Sequence, residues 1–281
     1  MKVCFFVKDD SFISKALLDS FLQKPQIQSS LIFCLDGKRR SALNLWLRYF
    51  IQKTAKHPDL MKTISSKNDV HLIKSINSEE VINKVIGYKP DHLFLLGYPE
   101  ILTAPTLRAL GNVINYHNSF LPYYRGVFAT HRALLDEKES TGFSFHRVDR
   151  GIDTGPIYYQ EEVVLNKNKS ALQNELIIIK RACQSIDKFL VILDKNTEPK
   201  IQKIKGELMS ATDFHKKLDD RSSGGVEEIK KIISICGGYA MQSQSGKKQY
   251  VTKLSATGKV KEVKGLPLML YKLLNLLKII Q

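Results

Sequence analysis

The chain has 281 residues, with 43 Lys and Arg against 28 Asp and Glu, for a formal net charge of +15. That length suits one large domain, or a domain with a smaller appendage. A content of 43% hydrophobic and 25% charged residues is ordinary for a globular protein, and no apolar run reaches the roughly 20 residues that span a bilayer.

The segment Met1 to Asp10 is charged too soon for a signal peptide, so the cytoplasm is the expected compartment. Cys4, Cys34, Cys183 and Cys236 are far apart, with no Cys-x-x-Cys pair and no His at metal-ligand spacing. Four reduced, buried thiols and no metal site are expected.

Lys2 to Val7 reads as a buried strand, and Phe12 to Phe21 as an amphipathic helix with Ile13, Leu17, Leu18 and Phe21 near helical period. Ser30 to Leu35 and Val70 to Lys74 read as further strands. Ser78 to Ile86 reads as a helix capped by the Ser78 side chain and stopped by Lys89-Pro90-Asp91. His92 to Leu96, Val113 to Tyr116 and Gly142 to His146 complete the strand pattern. The alternation predicts an α/β fold, a doubly wound and mostly parallel sheet that binds ligands at the carboxyl ends of its strands. Lys8-Asp9-Asp10-Ser11 follows the first strand where a dinucleotide site would need Gly-x-Gly-x-x-Gly. No Gly-x-x-x-x-Gly-Lys loop exists either, so nucleotide hydrolysis has no support.

Residues 36–68 are long for a connection. They carry Lys38, Arg39 and Arg40, then Trp46, Tyr49 and Phe50, and read either as an extra helix or as a basic, aromatic flap for a nucleotide. Lys167 to Asp194 shows one long helical pattern that closes a main domain. Asn196-Thr197-Glu198-Pro199 marks a break, giving a catalytic domain over 1–197 and a small C-terminal α+β region over 198–281. Turns around Gly237-Gly238 and Ser245-Gly246 predict short strands there. Leu266 to Gln281 holds too many apolar side chains to leave in water, which predicts a homodimer, with interfacial membrane contact as the other reading.

Two polar clusters at strand ends carry the chemistry. Asn115 and His117 are two apart and project from one face of an extended strand. Asp153 follows a second apolar run, on a turn that Gly151 and Gly155 make flexible. An amide, an imidazole and a carboxylate suit acyl transfer: one binds an oxyanion, one handles a proton, one orients the histidine. Each alone is compatible with a strand cap, a core histidine or a turn residue. In one chain, separated by Leu121-Pro122 and Arg125-Gly126, they mark a site.

The run Asn115-x-His117-x-Ser119-x-Leu121-Pro122-x-Tyr124-Arg125-Gly126, then Asp149-x-Gly151-x-Asp153-x-Gly155-Pro156-Ile157, resembles the signature of the formyltransferases that use 10-formyltetrahydrofolate. The resemblance is dense over residues 90–165 and reaches back to residue 1. It implies Asn115, His117 and Asp153 as catalytic residues, with Asp153 supporting a charged His117. It implies a folate pocket beside Tyr98, Pro99, Ile101 and Leu102, with Val148 and Asp149 on the other wall. Tyr124, Arg125 and Asn118 are expected at the substrate; Asn118 stands where many members have Pro or Ala. The acceptor implied by chain length and the small C-terminal region is a nucleotide-linked amino sugar. Methionyl-tRNA is the alternative, glycinamide ribonucleotide fits less well, and a non-catalytic folate-binding protein would lack the intact trio. The positive charge suits folate's glutamate tail, a sugar nucleotide, RNA or an acidic membrane without choosing among them.

Overall fold

A computed structural model describes residues 1–9, 11–35, 69–203 and 206–236, and the backbone of 239–242, 248–254 and 260–262. The chain runs β1 (Lys2–Lys8), α1 (Phe12–Leu22), β2 (Ser29–Leu35), β3 (Asp69–Ile73), α2 (Glu79–Tyr88), β4 (His92–Leu96), α3 (Ala104–Leu110) and β5 (Val113–His117). Next come β6 (Arg125–Gly126), α4 (Ala129–Leu135), β7 (Ser140–Arg147), β8 (Ile157–Val164), α5 (Ala171–Gln184) and α6 (Ile186–Asp194). The C-terminal part holds β9 (Leu208–Met209), α7 (Ala211–Ser222), α8 (Val226–Cys236), β10 (Tyr239–Gln242), β11 (Lys248–Leu254) and β12 (Val260–Glu262).

Seven strands form the main sheet, in the order β3-β2-β1-β4-β5-β7-β8. The first five are parallel, β7 runs against them, and β8 pairs antiparallel with β7 at the edge. Strands β1 and β2 read as continuous apolar runs because helices cover both faces. Along β1, Val3, Phe5 and Val7 enter one core while Cys4 and Phe6 enter the other. Phe145 stacks on Phe189 of α6 at 4.2 Å between ring centres, and Phe21 of α1 meets both edge-on. Buried side chains of this size each contribute roughly 1.5 to 3 kcal/mol. The strand order reverses beside β1, and the carboxyl ends of β4 and β5 open next to that point, where open α/β sheets bind ligands.

Several local expectations need correction. The Ser78 side chain does not cap α2; its hydroxyl donates to the Ser75 carbonyl at 3.1 Å instead. The pattern over 167–194 is two helices that meet at the buried Ser185, whose hydroxyl donates to Glu161 on β8 at 3.0 Å. Cys4 and Cys34 are buried, Cys183 and Cys236 only half-buried, and none is in a disulfide. Helices α7 and α8 lie in the region read as α+β, ahead of the predicted strands, and Phe214, Leu218 and Ile232 bury their side chains in the main core. The 36–68 segment and the 266–281 tail lie outside the described residues. Among those described, no helix is long and apolar enough to cross a membrane.

Candidate active site

Asn115 and His117 both reach a cavity of about 480 Å³ at the end of β5, and Tyr116 between them packs on Phe145. His117 is anchored by Nε2, which lies 3.0 Å from the Tyr124 carbonyl. A carbonyl can only accept, so the ring proton of a neutral His117 is on Nε2 and Nδ1 is left as the basic nitrogen. That Nδ1 faces Asp153 Oδ2 at 3.4 Å.

A second imidazole mirrors the first. His146 ends β7 and pairs with Asn115 across the antiparallel ladder. Its Nδ1 donates to the Arg147 carbonyl at 2.8 Å, which turns Nε2 toward Asp153 Oδ1 at 3.3 Å and Asn115 Nδ2 at 3.1 Å. One Asn115 N–H is thereby held by His146, and the other remains available to a ligand oxygen. His146 was not singled out by its sequence position; the ladder register alone puts it beside Asn115.

Asp153 is the hub. Its backbone lies in the left-handed region at φ +53°, a conformation that Asp tolerates better than most residues. Oδ2 also accepts the Gly126 N–H at 2.8 Å, and Gln202 Nε2 binds the Asp153 and Gly155 carbonyls at 3.1 and 2.7 Å. Asp149 Oδ1 accepts from the Gly151 N–H and the Thr154 hydroxyl, closing the same loop. The two loop glycines serve close approach rather than flexibility. A Cβ on Gly155 would collide with the Arg147 carbonyl, and one on Gly151 with the Thr154 hydroxyl.

Burial by itself would raise the Asp153 carboxyl. His117, His146 and the Gly126 N–H outweigh it and hold Asp153 well below the usual carboxylate range. Burial draws His117 below its ordinary 6.5, and the neighbouring Asp153 offsets this only in part. Burial thus works against the charged His117 expected from the sequence, and Asp153 works for it. The three groups form an acceptor for one proton, with Asn115 as a donor beside it.

Tyr98, Pro99, Ile101, Leu102, Val148 and Asp149 all line the cavity. Asn118, Tyr124 and Arg125 do not. The Asn118 amide is used at both ends, donating to Thr130 and accepting from Tyr116 at 2.9 Å each. Arg125 donates to the Ile152 and Gly206 carbonyls at 2.9 Å each, and the Tyr124 ring lies 5.2 Å from the Arg132 guanidinium. Residues beyond 200 also close the site: β9 pairs with β6, and Leu208 to Ala211 line the cavity.

At the strand ends of a doubly wound sheet, a buried carboxylate faces one nitrogen of each of two imidazoles, an arrangement able to take up and give back a proton. The chain belongs to the formyl transferase family, whose model matches residues 1–178. A methionyl-tRNA formyltransferase of Syntrophomonas wolfei is 30% identical over 141 residues, 49% of this chain and 44% of that protein. A GDP-perosamine N-formyltransferase of Brucella melitensis is 30% identical over 120 residues, 42% of this chain and 46% of that protein. The chain thus spans under half the length of these two relatives. The structure of a sugar N-formyltransferase from a Shewanella species superposes with a TM-score of 0.64 at 15% identity, covering 90% of this chain and 97% of that one. At that identity the likeness is one of fold.

Proposed function

We propose that this protein transfers a formyl group from 10-formyltetrahydrofolate to the primary amine of a nucleotide-linked amino sugar. The observation that carries the reading is Asp153, held as a carboxylate between the basic nitrogens of His117 and His146, with the Asn115 amide alongside. The cavity volume falls within the roughly 300–1,000 Å³ of small-molecule sites. Its wall of Tyr98, Pro99, Ile101 and Leu102 suits a flat, mostly apolar pterin. The folate would supply the formyl carbon, and its N10 would leave with a proton.

Asn115 donates to the formyl oxygen as that oxygen gains charge; one such donor is worth roughly 3 to 4 kcal/mol in a transition state. The Asp153 cluster accepts the proton that the attacking amine releases and returns one to the leaving nitrogen. The products are the N-formyl amine and tetrahydrofolate, with no net change in the enzyme. Asp153 and the histidines hold that proton out of bulk water, because their side chains are nine-tenths buried.

The sugar acceptor is supported by the perosamine relative and by the extent of the superposition on the Shewanella fold. Methionyl-tRNA is the second reading, supported by the Syntrophomonas relative. Purified protein incubated with 10-formyltetrahydrofolate should formylate an amino-sugar nucleotide and leave methionyl-tRNA untouched at matched concentration. Efficient formylation of the tRNA would promote the second reading. A cytoplasmic homodimer completes the proposal, resting on the apolar sequence of 266–281, and light scattering tests the dimer.

A further inference from the structure

Arg132, on α4, is 1% exposed and is the largest fully buried side chain among the described residues. Burying a guanidinium is costly unless its surroundings repay the lost hydration. Its ion partner repays little: Glu207 lies 3.6 Å away and is 67% exposed. The Arg132 Nε has no hydrogen-bond partner at all. Two carbonyls accept from the guanidinium, Arg125 O from Nη1 at 2.7 Å and Glu207 O from Nη2 at 3.3 Å. As a purely structural element, an apolar side chain of similar volume would serve better.

The Arg125 carbonyl belongs to the same peptide unit as the Gly126 N–H. That N–H is the one that donates to Asp153 Oδ2 at 2.8 Å. A cation on the C=O of a peptide strengthens its N–H as a donor, since hydrogen bonds in a chain polarise one another. The preceding carbonyl, Tyr124 O, receives the His117 ring proton. Left-handed turns at Tyr124, φ +58°, and Gly126, φ +84°, aim these groups in their separate directions. Gly126 can take that position only without a Cβ, which would collide with the Met209 carbonyl.

We propose that Arg132 is a positioning residue for the proton-accepting cluster: through the Arg125–Gly126 peptide it orients Asp153 and holds it as a carboxylate. This rests on the reading of Asp153 as proton acceptor in the proposed function. Burial is the main reason His117 holds its proton weakly; Asp153 opposes it, while His146 and then Arg132 add to it. The other groups around the cluster are the Tyr124 phenol, the Arg125 guanidinium, Asp149 and Arg150 of the cavity loop, and Glu207. Asp136 lies beyond Tyr124 and is itself paired with Lys217 and Arg221 of α7. None of these reaches the Asp153 carboxylate through the peptide that Arg132 uses.

Histidine-ring NMR titration of the full chain tests this without any acceptor, with His117 and His146 resonances identified from their Gln variants. Arg132→Gln keeps a donor for the Arg125 carbonyl but removes the charge, and should raise the apparent pKa of His117 by about one unit. Arg132→Lys keeps the charge and should titrate within about 0.3 unit of the parent. Glu207→Gln removes the partly neutralising anion at an exposed side chain, and should move the titration down by about 0.2 to 0.4 unit. Where Arg132→Gln folds, an unmoved titration overturns the proposal. Where it does not fold, Glu207→Gln decides, and an unmoved or raised titration overturns it. Turnover of Asp153→Asn reports separately on the catalytic reading, so the two can fail independently.

Discussion

Asn115, His117 and His146 stand at the ends of β5 and β7, where the ladder register sets their neighbours, whereas Tyr98 to Leu102 form a wall that no ladder fixes. The wall is held by side chains. Glu100 accepts from Ser75 Oγ, from the Ile76 N–H at 2.8 Å, from Tyr98 OH at 2.9 Å and from Asn77 Nδ2 at 3.3 Å. Asn77 in turn donates to the Ile101 carbonyl and accepts from Thr103 N and the Thr106 hydroxyl. The floor is therefore fixed redundantly, by many backbone bonds, and the wall by two side chains, its own Glu100 and Asn77 of a neighbouring loop. Chemistry that fails with a small misplacement is set on the rigid part, and ligand fit is left to the adjustable one.

The largest effect should come from breaking the floor at its hub. Asp153→Asn removes the proton acceptor but keeps the shape, and turnover should drop more than about a hundredfold. Folate binding, read by fluorescence titration, should change little. Activity within threefold of the parent would remove Asp153 from the mechanism. Asn115→Ala and His117→Ala follow, each lowering kcat by at least about tenfold. Because His146 can share the proton with Asp153, the His117 loss should be the smaller of those two. A thermal melt alongside each variant separates a lost group from a lost fold.

The same contrast governs what the sequence discloses. Asn115, His117 and Asp153 are legible because strand period and turn residues act locally: an i, i+2 pair shares a face, and a Gly-flanked Asp marks a loop. His146 is equally polar and close in sequence, but only the antiparallel register puts it opposite Asn115, and that pairing is a tertiary fact. Gln202 and Leu208 to Ala211 are less legible still, because they return to the site from beyond residue 200. The sheet is largely readable since β1, β2 and β4 are continuous apolar runs. Helices α7 and α8 are not, since polar faces dilute the period that their buried Phe214, Leu218, Ile229 and Ile232 carry.

A middle-sized effect should isolate the wall. Glu100→Gln cannot accept from all four donors, and one of its amide hydrogens would face the Ile76 N–H or the Tyr98 hydroxyl. The loop should loosen, raising KM for the folate by about five- to tenfold with kcat nearly unchanged, the pattern of lost uniform binding. Asn77→Ala should do the same by about threefold. If kcat fell with KM constant instead, the wall would belong to the catalytic floor and the contrast would be withdrawn.

The smallest effect is thermodynamic and bears on how the floor is charged. Burial lowers the folded-state proton affinity of His117 below 6.5, so the unfolded chain binds more protons at this position as the solution is acidified. Stability linked to His117 is accordingly complete above about pH 6.5 and is lost as pH falls toward the lowered folded value. Asp153 has the same sign in a separate window: its contribution is complete above 3.8 and is lost only in stronger acid. Between pH 7.5 and 5.5 the imidazole is therefore the member of the pair that matters. His117→Gln retains a donor for the Tyr124 carbonyl but cannot titrate. Its Tm should fall a few degrees less than the parent's across that interval, a difference calorimetry resolves for a chain of this size. A variant that loses as much Tm as the parent would mean that His117 titrates normally in the folded protein. Asp153 would then offset in full the burial penalty on a protonated His117.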